Sequence, residues 1–342
     1  MKKKLLVTHT FRFEGRTGGI TSIMKNMHPY LCEAFDVEYM TLPESWQHGS
    51  TRAAYFIYMW LHRKRLRKYD FILSQIPEAS YWVVKSGVPC AHIYHGDGHP
   101  MKGGSFLKIP FVPFYDHLFK VINDKCPLVY CIGKKRRPEN KKLYNPLIQD
   151  VKPLPIDQRK GFIFTGRLVN LKRVNRIIDI YSKLPKDIQD ENPLYIAGDG
   201  YCRESLEQQA KELGLTDKVL FLGSVPNTEI MKTVASKRLL LMASTTEGFP
   251  TSIAEAFSLG IPAVSTNVGS VASVVENGVN GFYVGKEFDD DEYVKCIMTI
   301  LNDYGRFSEG ALKCAELFNA ERVTKGVIAD INEQLDRQAQ AK

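Results

Sequence analysis

Long apolar runs and paired cysteines are both missing from this 342-residue sequence. No stretch of 18 consecutive apolar residues occurs, so we expect no membrane-spanning helix. The first apolar run ends at Thr8 after three residues, too short for the hydrophobic core of a signal peptide, and it predicts a first strand instead. The seven cysteines are scattered without a C-x2-C pair, so neither a disulfide framework nor a zinc site is expected. We therefore expect a reducing, cytoplasmic compartment.

Size and charge suggest two domains with different partners. A chain of 342 residues exceeds one comfortable hydrophobic core, and 44% apolar with 25% charged residues is typical of a globular protein. Residues 1–150 hold 23 basic against 12 acidic residues, a net charge of +11. Residues 151–342 hold 23 against 26, a net charge of −3. This asymmetry predicts that the first half meets an anionic partner, such as a membrane surface, a phosphorylated acceptor or nucleic acid.

Strand-length apolar runs alternate with helical patterns throughout the chain, which predicts an α/β protein with parallel sheets. In the first half the predicted strands are 3–9, 37–42, 71–75, 91–95 and 128–132, with helices that include 20–35 and 51–68. In the second half they are 161–165, 194–197, 219–222, 238–243 and 262–266, and the chain is helical from 289 onward. The proline-containing segment 145–155 has the character of a linker. We expect two Rossmann-like, doubly wound domains with a ligand-binding cleft between them.

The most informative stretch surrounds the strand predicted at 238–243. An acidic turn with Glu247 follows it, then a helix that Thr251 or Ser252 can cap and Gly260 can end. Ligands of parallel sheets bind beside the carboxyl ends of strands, where helix N-termini attract phosphate. Glu247 and Glu255, one helical turn in, can both face such a ligand. The alternative is that Glu255 complements its own helix dipole and Glu247 is a solvated turn residue.

Cations follow the strand predicted at 161–165. Gly166 and Arg167 form a turn, and Lys172 comes five residues later. Two fixed cations at the end of a strand can stabilise the negative charge that develops on a leaving diphosphate. The alternative is a solvated helix start with Arg173 included, although a helix dipole disfavours cations at its N-terminus.

Together these segments resemble glycosyltransferase family 4, whose members are retaining, nucleotide-sugar-dependent enzymes with the GT-B fold. Glu247 and Glu255 match the E-x7-E pattern of that family, and Arg167 with Lys172 matches its G-R-x4-K segment. The resemblance implies that Glu247 contacts donor-sugar hydroxyls, that Glu255 holds the ribose, and that both cations grip the diphosphate. It also implies that the loop and helix start between the glutamates meet the diphosphate, through Gly248, Phe249, Pro250 and Thr251. Sugar transfer would retain the anomeric configuration by front-face attack without an assigned nucleophile.

Weaker matches complete the implied donor site. Gly198 lies in a turn after a predicted strand, and Val225 lies in the segment implied to meet the nucleobase. Gly18 and Gly19 match the first-loop glycine pair of the family. His95 matches a histidine near the donor sugar. The resemblance is close over 160–285 and thins out in the first half.

A metal site is the alternative for the region around His95. His95, Asp97 and His99 alternate along an extended segment, but no further ligand cluster accompanies them. No D-x-D follows a strand of the first domain, and residues 289–291 have the character of an acidic helix start. We expect a metal-independent reaction with no cofactor, in which a nucleotide sugar is a co-substrate and UDP is favoured over GDP.

The domain assignment follows from these matches. Residues 1–150 are expected to form an acceptor domain, 151–320 a nucleotide-sugar donor domain, and 321–342 a C-terminal helix that packs back toward the first domain. The expected acceptor is a hydroxyl of a cell-surface glycan, glycolipid or lipid-linked glycan. The alternative from another class is a non-catalytic protein of the same fold that binds a nucleotide sugar or an anionic polymer.

A basic, aromatic segment of the first half suggests a location. Aromatic residues at 55–61 precede cations at 63–68, and 106–114 adds a second apolar segment. Such a helix can lie on an anionic membrane, which predicts a cytoplasmic protein held peripherally at the inner face. The alternatives are a core helix with a solvated basic end and a soluble anionic acceptor. Nucleic acid is not favoured, because no recognised binding module is present.

Overall fold

The chain divides into two compact units. A computed structural model describes residues 2–10, 19–47, 51–95, 111–133 and 135–340, and for residues 19, 20, 227 and 228 the backbone alone. The first unit consists of Met1–Pro146 and Ala320–Lys342, and the second of Leu147–Asn319. None of the helices in these described ranges combines the length and apolar character needed to cross a bilayer.

The first unit is built on a parallel sheet of six strands in the order β2-β1-β3-β4-β5-β6. Its strands are β1 Lys4–Thr8, β2 Asp36–Met40, β3 Phe71–Ser74, β4 Cys90–His95, β5 Leu128–Ile132 and β6 Lys141–Lys142. Its first helices are α1 Gly19–Ala34, α2 Thr51–His62, α3 Pro77–Ser86 and α4 Val112–Lys125. The five predicted strands are therefore confirmed. Four of them are buried along almost their whole length, which explains their continuous apolar sequences, whereas β2 alternates exposed and partly buried residues before its buried end.

The second unit repeats this plan with the order β12-β11-β10-β7-β8-β9, again parallel. Its strands are β7 Phe162–Thr165, β8 Leu194–Ala197, β9 Val219–Gly223, β10 Leu239–Leu241, β11 Ala263–Thr266 and β12 Gly281–Val284. Its helices are α5 Val174–Ser182, α6 Lys186–Glu191, α7 Arg203–Glu212, α8 Asn227–Ala235, α9 Thr251–Ser258, α10 Asp290–Asn302 and α11 Tyr304–Ala315. All five predicted strands are present, and β12 is an additional edge strand.

One local prediction is wrong. The helix predicted over 51–68 ends at His62, and Arg63–Lys68 continues as a 3-10 helix. Cations fill five of these six positions, and their mutual repulsion one turn apart disfavours an α-helix. The predicted linker at 145–155 is anchored on the second unit, because Leu147 forms a bridge with Asn319 and the Gln149 side chain donates to the Ser258 carbonyl.

The last helix, α12 Ala320–Gln340, belongs to the first unit although the chain reaches it from the second. It packs against α1. Its Asp330 carboxylate accepts hydrogen bonds from the Tyr130 hydroxyl at 2.7 Å and from Lys141 Nζ at 2.6 Å. These contacts tie the end of the chain to strands β5 and β6 of the first sheet.

Candidate active site

The second sheet reverses its strand order between β7 and β10. From β7 the chain continues through β8 and β9 on one side, and from β10 it continues through β11 and β12 on the other. In open parallel sheets, ligands bind at the carboxyl ends of the strands at such a reversal. Gly166 and Arg167 follow β7, and Glu247 follows β10. The two motifs that matched separately in the sequence therefore meet at one edge of one sheet.

Glu247 and Lys172 form an ion pair at this edge. The Lys172 Nζ atom donates to Glu247 Oε1 at 2.5 Å, and the hydroxyl of buried Ser244 donates to the same oxygen at 2.6 Å. Glu247 Oε2 accepts no hydrogen bond from the described residues. The carboxylate is thus fixed in orientation through one oxygen, while its other oxygen is able to accept a hydrogen bond from a ligand hydroxyl.

Arg167 is the exposed cation of the site. Its guanidinium makes no hydrogen bond or ion pair with any described residue. Lys172, by contrast, is largely buried and committed to Glu247. The interpretation of these cations as a solvated helix start therefore fits Arg167 better than Lys172. An unpaired guanidinium at the carboxyl end of a strand is available for bidentate contact with a phosphate.

The glycines of this edge keep two turns close together. A Cβ atom on Gly198, where φ is +146°, would lie only 1.8 Å from the Gly166 carbonyl oxygen. The Gly166 amide donates to the Ala197 carbonyl at 3.0 Å in the same contact. Gly198 is therefore explained by packing of the β7 and β8 turns, and its predicted donor contact stays a prediction. Val225, which follows β9, is partly buried.

The start of α9 differs from its prediction. Neither Thr251 nor Ser252 caps the helix, because Pro250 occupies the N-cap position and no side chain accepts a hydrogen bond there. The Ser252 hydroxyl instead contacts the Met242 sulfur at 3.3 Å. Gly260 does end the helix, with φ at +66°. The N-terminal end of α9 therefore keeps the positive end of its dipole without a capping side chain.

Glu255 and Phe249 have different surroundings. Burial raises the pKa of the Glu255 carboxyl, and no described residue forms a side-chain hydrogen bond or ion pair with it. A partly buried carboxyl to which no described residue donates is a candidate to accept hydrogen bonds from ligand hydroxyls.

Phe249 packs edge-on against Phe318, with ring centroids 5.7 Å apart, and Gly248 accepts a hydrogen bond from the Ser270 hydroxyl through its carbonyl. Phe249 and Gly248 therefore also shape the loop itself.

His95 lies in the first unit, at the carboxyl end of β4. Its Nε2 atom is 3.0 Å from Oε1 of Gln75, and its buried Nδ1 atom has no hydrogen-bond partner among the described residues. Burial, and secondly the neighbouring His9, lower the pKa of His95 to about 3. Asp97, His99 and Gly18 lie outside the described residues, and Gly19 is the first residue of α1. The described ranges contain no group of three candidate metal ligands.

Several parts of this arrangement could not be predicted from the sequence. Gln75 and Ser244 carried no motif, and their only signal is a polar side chain shortly after a buried strand, directly after β3 for Gln75 and three residues after β10 for Ser244. The Lys172–Glu247 pair was also missed, because the two residues were assigned separate roles. Only the strand order, which brings β7 beside β10, shows that the residues meet.

A family model described as Glycosyl transferases group 1 matches residues 148–316, just under half of the chain and nearly all of the second unit. Residues 148–316 are therefore similar to the group 1 glycosyltransferases. This similarity agrees with the predicted resemblance to glycosyltransferases, whereas family 4 and the retaining mechanism stay predictions.

Curated relatives are glycosyltransferases as well. An uncharacterised glycosyltransferase of Methanocaldococcus jannaschii is 31% identical over 150 residues, which is 44% of this chain and 37% of that protein. The lipopolysaccharide 1,6-galactosyltransferase of Salmonella typhimurium is 30% identical over 155 residues, 43% of each chain. The O-antigen biosynthesis glycosyltransferase WbnH of Escherichia coli is 27% identical over 243 residues, 68% of this chain and 66% of that one. The chain spans less than two thirds of the length of each.

Solved structures resemble the whole chain in fold. HepE of Anabaena, in complex with UDP, matches with a TM-score of 0.72 at 19% identity, over 97% of this chain and 100% of that one. The lipopolysaccharide outer core galactosyltransferase WaaB matches with a TM-score of 0.71 at 18% identity, over 99% and 100%. The fold of the chain is GT-B, as predicted.

Proposed function

We propose that this protein is a retaining glycosyltransferase that moves a sugar from a nucleoside-diphosphate sugar to an acceptor hydroxyl without a metal ion. The observation that carries the proposal is the Lys172–Glu247 ion pair beside exposed Arg167, at the strand reversal of the unit that is similar to the group 1 glycosyltransferases. The pair fixes a carboxylate that can bind sugar hydroxyls, and it places cationic charge at the same edge.

The reaction needs a stabilised leaving group. In the proposed step, the bond from C1 of the donor sugar to the diphosphate breaks, and its electron pair leaves with the nucleoside diphosphate. The acceptor oxygen bonds to C1 on the same face, and its proton passes to a leaving phosphate oxygen. Arg167, Lys172 and the N-terminus of α9 would stabilise the negative charge that develops, so no metal is required. Glu247 would orient the sugar through its hydroxyls.

UDP is the favoured nucleotide, and a cell-surface glycan or lipid-linked glycan is the favoured acceptor. HepE of Anabaena has been solved in complex with UDP and with UDP-glucose. Relatives are named for lipopolysaccharide and O-antigen synthesis. Glu255, a partly buried carboxyl to which no described residue donates, is proposed to accept hydrogen bonds from the ribose hydroxyls of the nucleotide. The sugar contact that the resemblance implies for His95 stays a prediction.

A panel of UDP-sugars and GDP-sugars tests the proposal. Release of nucleoside diphosphate would be followed with a lipid-linked or lipopolysaccharide glycan acceptor and without one, beside a Lys172→Ala/Glu247→Gln double variant. We expect one UDP-sugar to give acceptor-stimulated release in the native protein and a large loss in the variant. A protein that binds UDP tightly by calorimetry but releases it from no sugar would instead be the non-catalytic binding protein of the alternative hypothesis.

A membrane surface is a second proposed partner. On α2, Tyr55 and Met59 are buried, so they belong to the core and not to the predicted insertion segment. The opposite face exposes Ile57, Trp60 and Leu61, and Phe111 and Phe114 at the start of α4 are exposed as well. Phe114 contacts the α2 ring of Phe56, with centroids 5.3 Å apart, so the two apolar patches adjoin.

Charge favours an anionic leaflet as the partner of these patches. Exposed cations follow α2 directly, at Arg63, Lys64, Arg65, Arg67 and Lys68. Each cation near an anionic leaflet contributes about 1 kcal/mol, and the exposed aromatic residues suit the interface. Peripheral attachment at the inner face of a membrane would bring the first unit to a lipid-linked acceptor. Residues 106–110 and Lys134 lie outside the described residues.

A further inference from the structure

Two cysteines of the first unit lie side by side at the amino-terminal edge of its sheet. Cys90 is the first residue of β4, and Cys126 is the C-cap residue of α4, just before β5. Because β4 pairs with β5 in parallel, with Ala91 opposite Leu128, both cysteines arrive at the same edge. Their sulfur atoms are 3.7 Å apart although 36 residues separate them in the chain. No sequence motif marks this pair, because neither residue belongs to a C-x2-C segment.

Hydrogen bonds hold the two sulfur atoms in this position. The Cys126 thiol donates to the Leu128 carbonyl oxygen at 3.3 Å, and the Cys90 thiol contacts the Cys126 sulfur. A disulfide has a sulfur–sulfur bond of about 2.0 Å, so the two atoms need to approach by roughly 1.7 Å. Rotation of the two side chains can supply a movement of this size while the strand pairing of β4 and β5 is kept.

The two thiols differ in exposure and in acidity. Cys90 is buried, whereas Cys126 is partly exposed. The hydrogen bond from the Cys90 thiol lowers the pKa of Cys126, although burial opposes this effect, and the same contact raises the pKa of Cys90. The thiolate, and not the thiol, is the nucleophile. Cys126 is therefore the sulfur that meets a small oxidant first, and Cys90 is placed to react next.

We propose that Cys90 and Cys126 form a reversible oxidative modification site, which hydrogen peroxide converts into a disulfide within the folded first unit. The Cys126 thiolate attacks one peroxide oxygen, the O–O bond breaks, and the leaving hydroxide takes up the thiol proton as water. The product is a sulfenic acid at Cys126. The Cys90 sulfur then attacks the sulfenic sulfur. The S–S bond forms, the S–O bond breaks, and hydroxide leaves as water with the proton of Cys90.

The balance of this reaction explains what the second thiol contributes. Two thiols are oxidised to one disulfide, and one hydrogen peroxide is reduced to two waters. A lone sulfenic acid can be oxidised further to sulfinic and sulfonic acids, which are irreversible in most proteins, whereas a disulfide is returned to thiols by a reductant. The pair would therefore stop the oxidation of Cys126 at a recoverable stage.

The disulfide would also stabilise the first unit. It would close a loop that contains β4 and α4, and such a cross-link restricts the unfolded chain more strongly as the loop becomes longer. The pair lies at the amino ends of the strands, whereas ligands of parallel sheets bind at the carboxyl ends. We therefore expect oxidation to raise the Tm and to leave the carboxyl edge of the sheet unchanged.

Mass spectrometry of the full chain detects the modification directly. The reduced protein would be treated with hydrogen peroxide in the absence of denaturant, its remaining thiols would be blocked, and its peptides would be analysed without reductant. We expect a cross-linked peptide that joins Cys90 to Cys126 and that dithiothreitol separates. Absence of this peptide at every peroxide concentration, or its appearance only after unfolding in urea, would overturn the proposal.

Serine variants test the order of the two steps. With dimedone, which traps sulfenic acids, Cys90→Ser should give a trapped adduct at Cys126 and no cross-link. Cys126→Ser should give neither the cross-link nor an adduct at Cys90. Cys296→Ser is the matched control, because Cys296 is partly exposed like Cys126 but lies on α10, and it should form the cross-link as the native protein does. An adduct at Cys90 in Cys126→Ser, formed as fast as the native cross-link, would overturn the role of Cys126.

Thermal unfolding then measures the effect on the folded protein. Peroxide should raise the native Tm by about 5 °C, and dithiothreitol should return it to the starting value. Cys126→Ser keeps all nine methionines, so it controls for oxidation at other residues and should show no rise. A Tm that falls when the cross-link forms would overturn the proposal, because the disulfide would then not fit the folded first unit. None of these measurements depends on sugar transfer.

Discussion

Lys172 Nζ and Glu247 Oε1 lie 2.5 Å apart although 75 residues separate them in the chain. The contact joins the turn after β7 to the loop after β10, the two strands at the reversal of the second sheet. Because Ser244 donates to the same oxygen, Glu247 is held from two directions. The cation and the carboxylate of the candidate site must therefore be treated as one unit, and a change at either residue alters the other.

Replacement of Glu247 should abolish transfer and leave the protein folded. Glu247→Gln keeps the shape of the side chain but weakens its hold on Lys172 and on sugar hydroxyls. We expect kcat to fall by about 10²- to 10³-fold, and the free energy of unfolding to change by about 1 kcal/mol, since the amide oxygen of the glutamine can still accept from Lys172 and Ser244. Glu309→Gln, which removes an exposed pair with Lys313, is the matched control. Native turnover in Glu247→Gln would contradict the assignment.

Loss of either cation should weaken the binding of UDP. Arg167→Ala removes an exposed guanidinium that pairs with none of the described residues, so only ligand affinity should change. Lys172→Ala should weaken UDP and also release Glu247. Titration calorimetry at two salt concentrations measures both effects, with exposed Lys232→Ala as the control for net charge. Unchanged UDP affinity in both site variants would place the anion site elsewhere in the protein.

Glu255 should cost the native protein stability at neutral pH. A carboxyl whose pKa is raised by burial holds its proton more tightly in the folded state, so its effect favours folding at low pH. This stabilisation of the folded state is lost as the pH rises from the usual pKa of glutamate through the raised pKa of Glu255. Glu255→Gln cannot ionise, so we expect its Tm to exceed the native value at pH 7 and to approach it near pH 4.

Two further measurements complete the Glu255 test. Glu309→Gln should show no such gain, because Lys313 lowers the pKa of Glu309. UDP affinity should fall in Glu255→Gln, in line with the proposed ribose contact. Equal Tm differences at pH 4 and pH 7 would show that Glu255 is not the group responsible.

Transfer should survive a chelator. The cations proposed to bind the leaving diphosphate would supply the positive charge that a metal ion otherwise provides. In addition, His95 Nε2 already contacts Gln75 and is therefore not available as a metal ligand. Initial rates in EDTA should equal those in EDTA already saturated with Mg²⁺. Complete loss in EDTA, restored by one divalent ion, would revive the hypothesis of a site at His95, Asp97 and His99.

The first unit should bind anionic vesicles reversibly, and less so as salt is added. Electrostatic attraction falls off within about 8–10 Å at physiological salt, so the cations after α2 must approach the lipid closely. Sedimentation should show more binding to anionic than to neutral vesicles. Charge reversal at Arg63, Lys64, Arg65 and Lys68 should abolish it.

The controls for vesicle binding lie in the second unit and in the donor assay. UDP affinity should stay unchanged in the charge-reversal variant. Reversal at Lys211 and Lys232, exposed on α7 and α8, should leave pelleting intact. No lipid-dependent pelleting at low salt would assign the patch to an anionic acceptor or to solvent.

Most strands of the two sheets were predictable, because a strand that is buried on both faces has a continuous apolar sequence. β12 lacked this signal, since two of its four residues are only partly buried at a sheet edge. β6 consists of two lysines and has no apolar signal at all. The end of α2 was missed because helical periodicity continues past His62, whereas charge repulsion among the following cations is not a periodic signal.

The candidate site was predictable where a residue belongs to a motif. Glu247, Arg167 and Lys172 were found in this way, but their mutual contact depends on strand order, which no local pattern encodes. Gln75 was missed because its importance comes from the side chain opposite it on a neighbouring strand. The uncapped start of α9 was missed because Thr251 and Ser252 have capping side chains, while Pro250 takes the position itself.

The return of α12 to the first unit makes the second unit an insertion. Leu147 and Asn319 are paired, so a fragment of residues 147–319 would begin and end at one place and keep its own sheet intact. A fragment that stops at residue 319 would behave differently. It would strip α1 of its covering helix and leave Tyr130 and Lys141 without the Asp330 carboxylate. Deleting the last 23 residues should therefore damage the half of the protein that is most distant from them in sequence.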